Sequence, residues 1–344
     1  MTNHIYYRKI RSECSENMDK IKIGIIGCGT VAGYGHIPAA SESNSAELVA
    51  LSDVNEKRLN ELKEKYNVDT YTDYHLLLKR KDIDAVIIAT PTFLHHQIVI
   101  DSAKNKKHIL CEKPISMTLE EADDMIKVTR EENVKFMIGF TRHSSKIYTK
   151  IKEVIDNGTI GELKYIKQIS NWGGPIWGGS ERYMWMINRG GGPIIDAAVH
   201  DFDLMRWYSG SEAYSVYATG YYSRNDIKYP DNVSVLIEMD NGTLGFIEHS
   251  WAYGKKSFSQ FHIVGSDGVL VLENNNLKVI KKDEEKVIPL GDDNDRFLIQ
   301  IDNFVKSIVN DTEPIVTGED GKKALEIGLA ALKSIKNKKI VFLK

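Results

Sequence analysis

Up to Phe140, short apolar runs alternate with stretches in which apolar positions recur at helical spacing. Ile21 to Ile26 and Leu48 to Leu51 read as strands, and Asn55 to Tyr66 as a helix with Leu59 and Leu62 on one face. A short helix over Tyr74 to Lys79 precedes Asp84 to Ala89, an unbroken apolar run of the kind a parallel strand covered on both faces shows, closed by Thr90-Pro91. Helix Leu94 to Asn105, strand Lys107 to Cys111, helix Leu119 to Glu132 and strand Lys135 to Gly139 continue the alternation. Strands that alternate with helices in this way form a doubly wound parallel sheet.

Past Phe140 the period changes. Lys146 to Asp156 is helical and stops at Asn157-Gly158, and from Leu163 strands dominate. The runs Tyr214 to Tyr222, Val233 to Met239, Thr243 to Trp251, Phe258 to Val264 and Val269 to Glu273 are joined by turn signals such as Asp240-Asn241-Gly242, which predicts an antiparallel sheet. The charge cluster Lys281 to Lys286 reads as a solvated hairpin tip, and helices Asp295 to Val309 and Gly321 to Lys336 close the chain. The expected division is an extension over 1–19, a dinucleotide-binding domain over 20–140, and an α+β substrate and oligomerisation domain over 141–344.

With 344 residues, two domains with sizeable cores are expected. A net charge of -3 argues against nucleic acid or a membrane surface as partner. Cys14, Cys28 and Cys111 show no C-x-x-C spacing, so neither a disulfide framework nor a zinc site is indicated, and a cytoplasmic setting fits. No apolar run approaches a membrane span, and residues Met1 to Lys20 lack the apolar core of a signal peptide.

Candidate chemistry starts at the first strand. Its turn, Gly27-Cys28-Gly29-Thr30-Val31-Ala32-Gly33, divides the mechanical tasks. Gly27 permits the tight bend, Gly29 lets backbone N–H groups approach a pyrophosphate, and small Ala32 lets the helix pack on the sheet with its N-terminus toward the phosphates. Asp53 lies about 20 residues further on, where a carboxylate accepts the hydroxyls of an adenosine ribose, which favours NAD. Arg58 is the residue that would admit the 2′-phosphate of NADP, the alternative cofactor; its bland reading is a solvated arginine on the next helix.

Three further stretches carry chemistry. Glu112-Lys113-Pro114 follows a parallel strand at the sheet edge where ligands bind, and a lysine there can steady a substrate oxygen that gains negative charge; an exposed loop lysine is the alternative. Gly190 to Asp203 places Asp196 and His200 four residues apart on one helical face, with Asp203 a turn along. That spacing suits an acid orienting a histidine base, or a capped helix with a surface pair; no third ligand for a metal is evident. Asn171 to Gly179, with Trp172 and Trp177, followed by Tyr183 and Trp185, offers aromatic faces either to a sugar ring or to a second subunit.

Together and in this order, these motifs resemble the glucose-fructose oxidoreductase, inositol dehydrogenase and MocA family of nicotinamide-dependent oxidoreductases. The resemblance rests on Gly27 to Ala32, Ala89-Thr90-Pro91 with His95, Lys107-His108 to Glu112-Lys113-Pro114, and Gly191-Gly192 with Asp196 and His200. Asp231-Asn232, Asn241 to Gly245 and Thr317 to Gly321 add to it. It implies a Rossmann domain followed by an α/β domain whose open, mainly antiparallel sheet supports a homodimer or homotetramer. It further implies Lys113 as the active-site lysine, often ahead of a cis proline, His200 as acid/base, Asp196 as its partner in substrate binding, and Asp203 as a further acid. Thr90, Pro91, His95 and Glu112 would line the cofactor with Thr30 and Val31. Where the family often carries Asn-Arg after Gly139-Phe140, this chain has Thr141-Arg142, with Arg142 a candidate substrate contact. The implied reaction is hydride transfer between NAD and a secondary alcohol of a sugar, sugar derivative or cyclitol. Two other implied outcomes are a redox-neutral glycosidase or epimerase using bound NAD transiently, and a silent NAD-binding sensor.

Overall fold

The computed structural model describes residues 20–171, 186–252, 257–273, 276–282 and 284–343. The first sheet contains β1 (Ile21–Ile26), β2 (Ala46–Ser52), β3 (Asp69–Tyr71), β4 (Ala85–Ile88), β5 (His108–Cys111) and β6 (Phe136–Ile138). All pairs are parallel, in the order β3-β2-β1-β4-β5-β6. The order reverses between β1 and β4, and an open parallel sheet binds its ligand outside the strand ends at that point. β3 leaves no apolar signature: Asp69-Thr70-Tyr71 is polar and half exposed, and only its ladder to Ala50–Ser52 makes it a strand.

The helices interleave with these strands. A π turn over Ala32–His36 leads into α1 (Ile37–Glu42). α2 (Glu56–Tyr66) is capped by the Asn55 side chain, which accepts the Arg58 N–H. α3 (Tyr74–Leu78), α4 (His95–Lys104) and α5 (Leu119–Glu131) complete the first unit. α6 (Lys146–Asp156), capped by Ser145, opens the second.

The second sheet has nine strands, β7 (Leu163–Asn171), β8 (Ala213–Tyr221), β9 (Asn232–Met239), β10 (Leu244–Ser250), β11 (Phe258–Gly265), β12 (Val269–Glu273), β13 (Asn276–Lys281), β14 (Glu284–Ile288) and β15 (Val341–Phe342). Their order is β14-β13-β12-β11-β7-β10-β9-β8-β15. The expected antiparallel pairing holds except between β7 and β10, which are parallel: β7 is inserted between β10 and β11, and the long connection after it allows the return in the same direction. The inner face, including Val216, Val235, Ile247 and Phe261, is buried beneath α7 (Val199–Ser209) and α9 (Gly318–Asn337). Tyr217, Tyr221, Leu236 and Leu244 are exposed on the outer face.

The last two long helices return to the first sheet. α8 (Arg296–Val309) inserts Phe297, Ile301 and Phe304 into one core with Ile23, Ile37 and Leu51. α9 begins at Gly318, earlier than Gly321, because Thr317 and Asp320 form a reciprocal capping box. Its first turn presses Gly318 on Phe136 and Gly321 on Ile138. Among the described residues, no helix is long and apolar enough to cross a membrane.

Candidate active site

The glycine turn closes against the end of β4. Gly27 has φ +92, and a Cβ there would stand 2.7 Å from the Ala89 carbonyl. A Cβ on Gly29 would meet nothing within 4 Å, so the turn opens outward at that point. Ala32 is buried where the following helix meets the sheet, with Thr30 exposed and Val31 half-buried beside it. Asp53 lies at the rim: Oδ2 accepts the Cys28 N–H at 2.7 Å and Oδ1 the Asn55 N–H at 2.8 Å. Thr90 Oγ1, at the end of β4, is buried with no hydrogen-bond partner among the described residues. An open turn, a carboxylate held beside it and an unsatisfied hydroxyl at the switch point fit a bound dinucleotide.

Arg58 departs from the solvated-surface reading. Its Nε donates to the Cys28 carbonyl at 3.4 Å, and its guanidinium reaches within 2.8 Å of where a Gly33 Cβ would stand. It therefore lies along the turn, next to Asp53. The Cys28 thiol, pushed up to about 12 by burial and then by the charge of Asp53, is held as a neutral thiol.

The lysine segment leaves β5 at Glu112. The Lys113–Pro114 peptide is cis. Lys113 Nζ donates to the Asp196 carbonyl at 2.7 Å and lies 3.6 Å from its carboxylate. The strand end of the first sheet is thereby joined to the π turn Pro193–Ala197 that precedes α7. His95 is fully buried, with Nδ1 2.9 Å from the Pro114 carbonyl and Nε2 3.0 Å from that of Thr90. Burial holds its pKa down against both carbonyls, so the neutral ring donates to one of them. His95 thus ties the Thr90-Pro91 turn to the lysine segment, while Pro91 itself is exposed.

The expected face of Asp196, His200 and Asp203 is not a single helix face. The π turn displaces Asp196 from the α7 register, and Asp196 holds Lys113 in place of the expected contact with His200. His200 packs edge-on to Phe140 at 5.6 Å, and its Nδ1 is buried without a partner among the described residues. Its pKa is well below the ordinary histidine value, first because burial disfavours the cation, then because Lys113, Arg142, His249 and His143 surround it. Asp203 accepts from His143 Nε2 at 2.8 Å and is almost fully buried. Arg142 pairs with buried Asp201, which also accepts from His249 Nε2, and packs its guanidinium over Tyr148. Both Arg142 and Asp203 are thus engaged by protein partners instead of being presented free. Burial raises the Asp201 carboxyl, but Arg142 and His249 outweigh it, so the group stays ionised.

His36, Asp201, His143 and His249 join the site without having been singled out in the sequence. His249 has one sequence signal, a polar residue on the inward side of an alternating strand. His36 has none, since its partner is Glu112, distant in the chain. Trp172 and Trp177, with Tyr183 and Trp185, lie outside the described residues.

A switch-point dinucleotide turn facing a lysine and a neutral histidine defines the class: a Rossmann-type oxidoreductase. Residues 21–140 match the family described as "Oxidoreductase family, NAD-binding Rossmann fold", and residues 148–271 match "GFO/IDH/MocA C-terminal domain". The chain belongs to this Gfo/Idh/MocA family, as its motifs suggested. It is 33% identical to "Myo-inositol 2-dehydrogenase" of Thermotoga maritima over 93% of this chain and 98% of that one. It is 28% identical to "scyllo-inositol 2-dehydrogenase (NAD(+))" of Bacillus subtilis, over 92% and 95%. The crystal structure of a "probable dehydrogenase from Thermotoga maritima" superposes with a TM-score of 0.82 at 32% identity, covering 93% and 98%. The protein is an NAD(P)-dependent oxidoreductase with an NAD-binding Rossmann fold.

Proposed function

We propose that this enzyme oxidises a secondary hydroxyl of a cyclitol or related sugar, with His200 as the base and Lys113 as the group that holds the reacting oxygen. The observation that carries the reading is the contact of Lys113 Nζ with Asp196, which brings the end of β5 and the segment bearing His200 to one place. His200 enters the reaction as an uncharged ring, and its Nε2 takes the hydroxyl proton. Lys113 donates to the oxygen as negative charge gathers on it, and Asp196 keeps the ammonium aimed. NAD, when bound along Gly27, Gly29 and Asp53, supplies the hydride acceptor. Arg142 and Asp203 act from beneath, through Asp201 and His143. The names of the two inositol dehydrogenase relatives support a cyclitol.

The exposed outer face of the second sheet, where Tyr217 and Leu236 are cross-strand partners, supports a homo-oligomer formed through that face. The buried free thiols Cys28 and Cys111 suit a reducing cytoplasm.

Stopped-flow reduction of NAD by myo-inositol, scyllo-inositol and glucose tests the reading. The single-turnover rate should fall on the order of 10² to 10⁴-fold in His200→Ala and in Lys113→Ala. Full rates in both variants would remove these residues from the chemistry. Turnover of glucose in preference to either inositol would reject the cyclitol.

A further inference from the structure

The glycine turn and the lysine segment are joined inside the protein by a pair of side chains with no place in the steps above. His36 closes the π turn that starts at Ala32, so its backbone is continuous with the turn that faces the phosphates. Its ring is completely buried, edge-on to Phe297 of α8 at 5.0 Å. Gly35 makes this packing possible, since a Cβ there would lie 2.7 Å from the Phe297 ring. From that position Nε2 donates to Glu112 Oε1 at 2.7 Å, while Nδ1 has no partner among the described residues. The other carboxylate oxygen, Oε2, accepts the backbone N–H of Lys113 at 3.2 Å. Gly139 packs against one side of Glu112, so closely that a Cβ on it would meet the Glu112 Cα at 3.0 Å and its carboxyl carbon at 3.1 Å.

We propose that His36 is a positioning residue for hydride transfer: its bond to Glu112 fixes that carboxylate, and the carboxylate holds the Lys113 backbone where the side chain reaches the reacting oxygen. The proposal rests on the reading of Lys113 given above. The charged and titratable groups that face Glu112 are His36 from the π turn, Lys113 next in the chain, His95 from α4 and the Cys111 thiol. Burial alone would push the Glu112 carboxyl up; the His36 hydrogen bond and then the neighbouring charges hold it below the usual carboxylate range. Replacing His36 with leucine keeps the packing against Phe297 and removes the donor. Glu112 then carries a buried charge without its main partner and takes up a proton as pH falls.

The test compares wild type, His36→Leu, His36→Gln, His36→Leu/Glu112→Gln and Lys113→Ala, using NAD and whichever of myo-inositol, scyllo-inositol and glucose reduces it fastest. His36→Leu should bind NAD within about threefold of wild type while kcat at pH 7 falls about tenfold or more, with much of the loss recovered toward pH 9. His36→Gln, which keeps an N–H donor in reach, should restore most of kcat and the wild-type pH profile. Independently of turnover, the infrared band of a protonated carboxyl should appear in His36→Leu at pH 7, be absent from wild type, and vanish in the double variant. A loss of kcat in His36→Leu that is equal at every pH, without the carboxyl band, would mean a packing role only and overturns the proposal. Should His36→Leu fail to fold, His36→Met, which is also apolar and lacks the donor, takes its place: a loss that recovers toward pH 9 with the carboxyl band supports the coupling, and an equal loss at every pH without the band overturns it. Full activity in Lys113→Ala would instead remove the lysine reading, leaving the carboxyl band as the measure of the His36–Glu112 bond itself.

Discussion

His200 differs from an ordinary surface histidine through its neighbours. Four groups that are or can become cationic surround a half-buried ring, so the proton-accepting form persists well below the usual histidine range. The sign of the pH dependence follows. The unfolded ring takes up its proton near 6.5, while the native ring resists it to lower pH, so the native state binds fewer protons in that interval. The stability associated with the neutral ring is present above pH 6.5 and is lost as pH falls below it, with His95 acting in the same sense. Urea midpoints at pH 7.5 and 5.5 should show this loss, and His200→Asn should reduce it. The oxidative kcat/KM should likewise be insensitive to the His200 titration above pH 6.5 and fall only on the acid side. At this scale helical spacing puts Asp196 beside His200, whereas the π turn brings its carbonyl to Lys113.

At the scale of elements, local rules determined most boundaries. α6 runs over Lys146–Asp156, as periodicity and the Asn157-Gly158 signal predict. α9 starts one turn earlier than expected because the Thr317 cap acts before the apolar period becomes visible. Thr317→Ala should lower stability by about 1 kcal/mol, read as a denaturation midpoint shift without a change in slope. The glycine turn is less tolerant. Gly27→Ala combines a left-handed φ with a Cβ in collision with the Ala89 carbonyl, so the turn must move from β4. That strain costs on the order of 1–3 kcal/mol and should weaken NAD binding in a calorimetric titration far more than the melting temperature alone implies. β3 was not legible, because three polar residues become a strand only through pairing with β2.

Across the whole molecule, the two sheets are bound by helices from the end of the chain. Phe297 packs against Gly35 and His36 in one direction and α8 shares the core of β1 and β2 in the other. The dinucleotide turn is thus buttressed by a segment more than two hundred residues away in the sequence. Phe297→Ala should destabilise the protein by about 3–5 kcal/mol and lower NAD affinity as well. If the outer face of the second sheet is where copies meet, Leu236→Glu should shift the sedimentation profile toward monomer without loss of circular dichroism signal. By itself the sequence determined the alternation of strands and helices, the glycine turn with its acid, the change of period past Phe140 and the chemical types at the site, since each is written in spacing a few residues long. Tertiary structure alone decided that Asp196 holds Lys113, that Arg142 and Asp203 face protein partners, and that His36 reaches Glu112. Those contacts join residues 59 to 83 positions apart, and whether a polar side chain is presented or paired depends on burial, which no local pattern encodes.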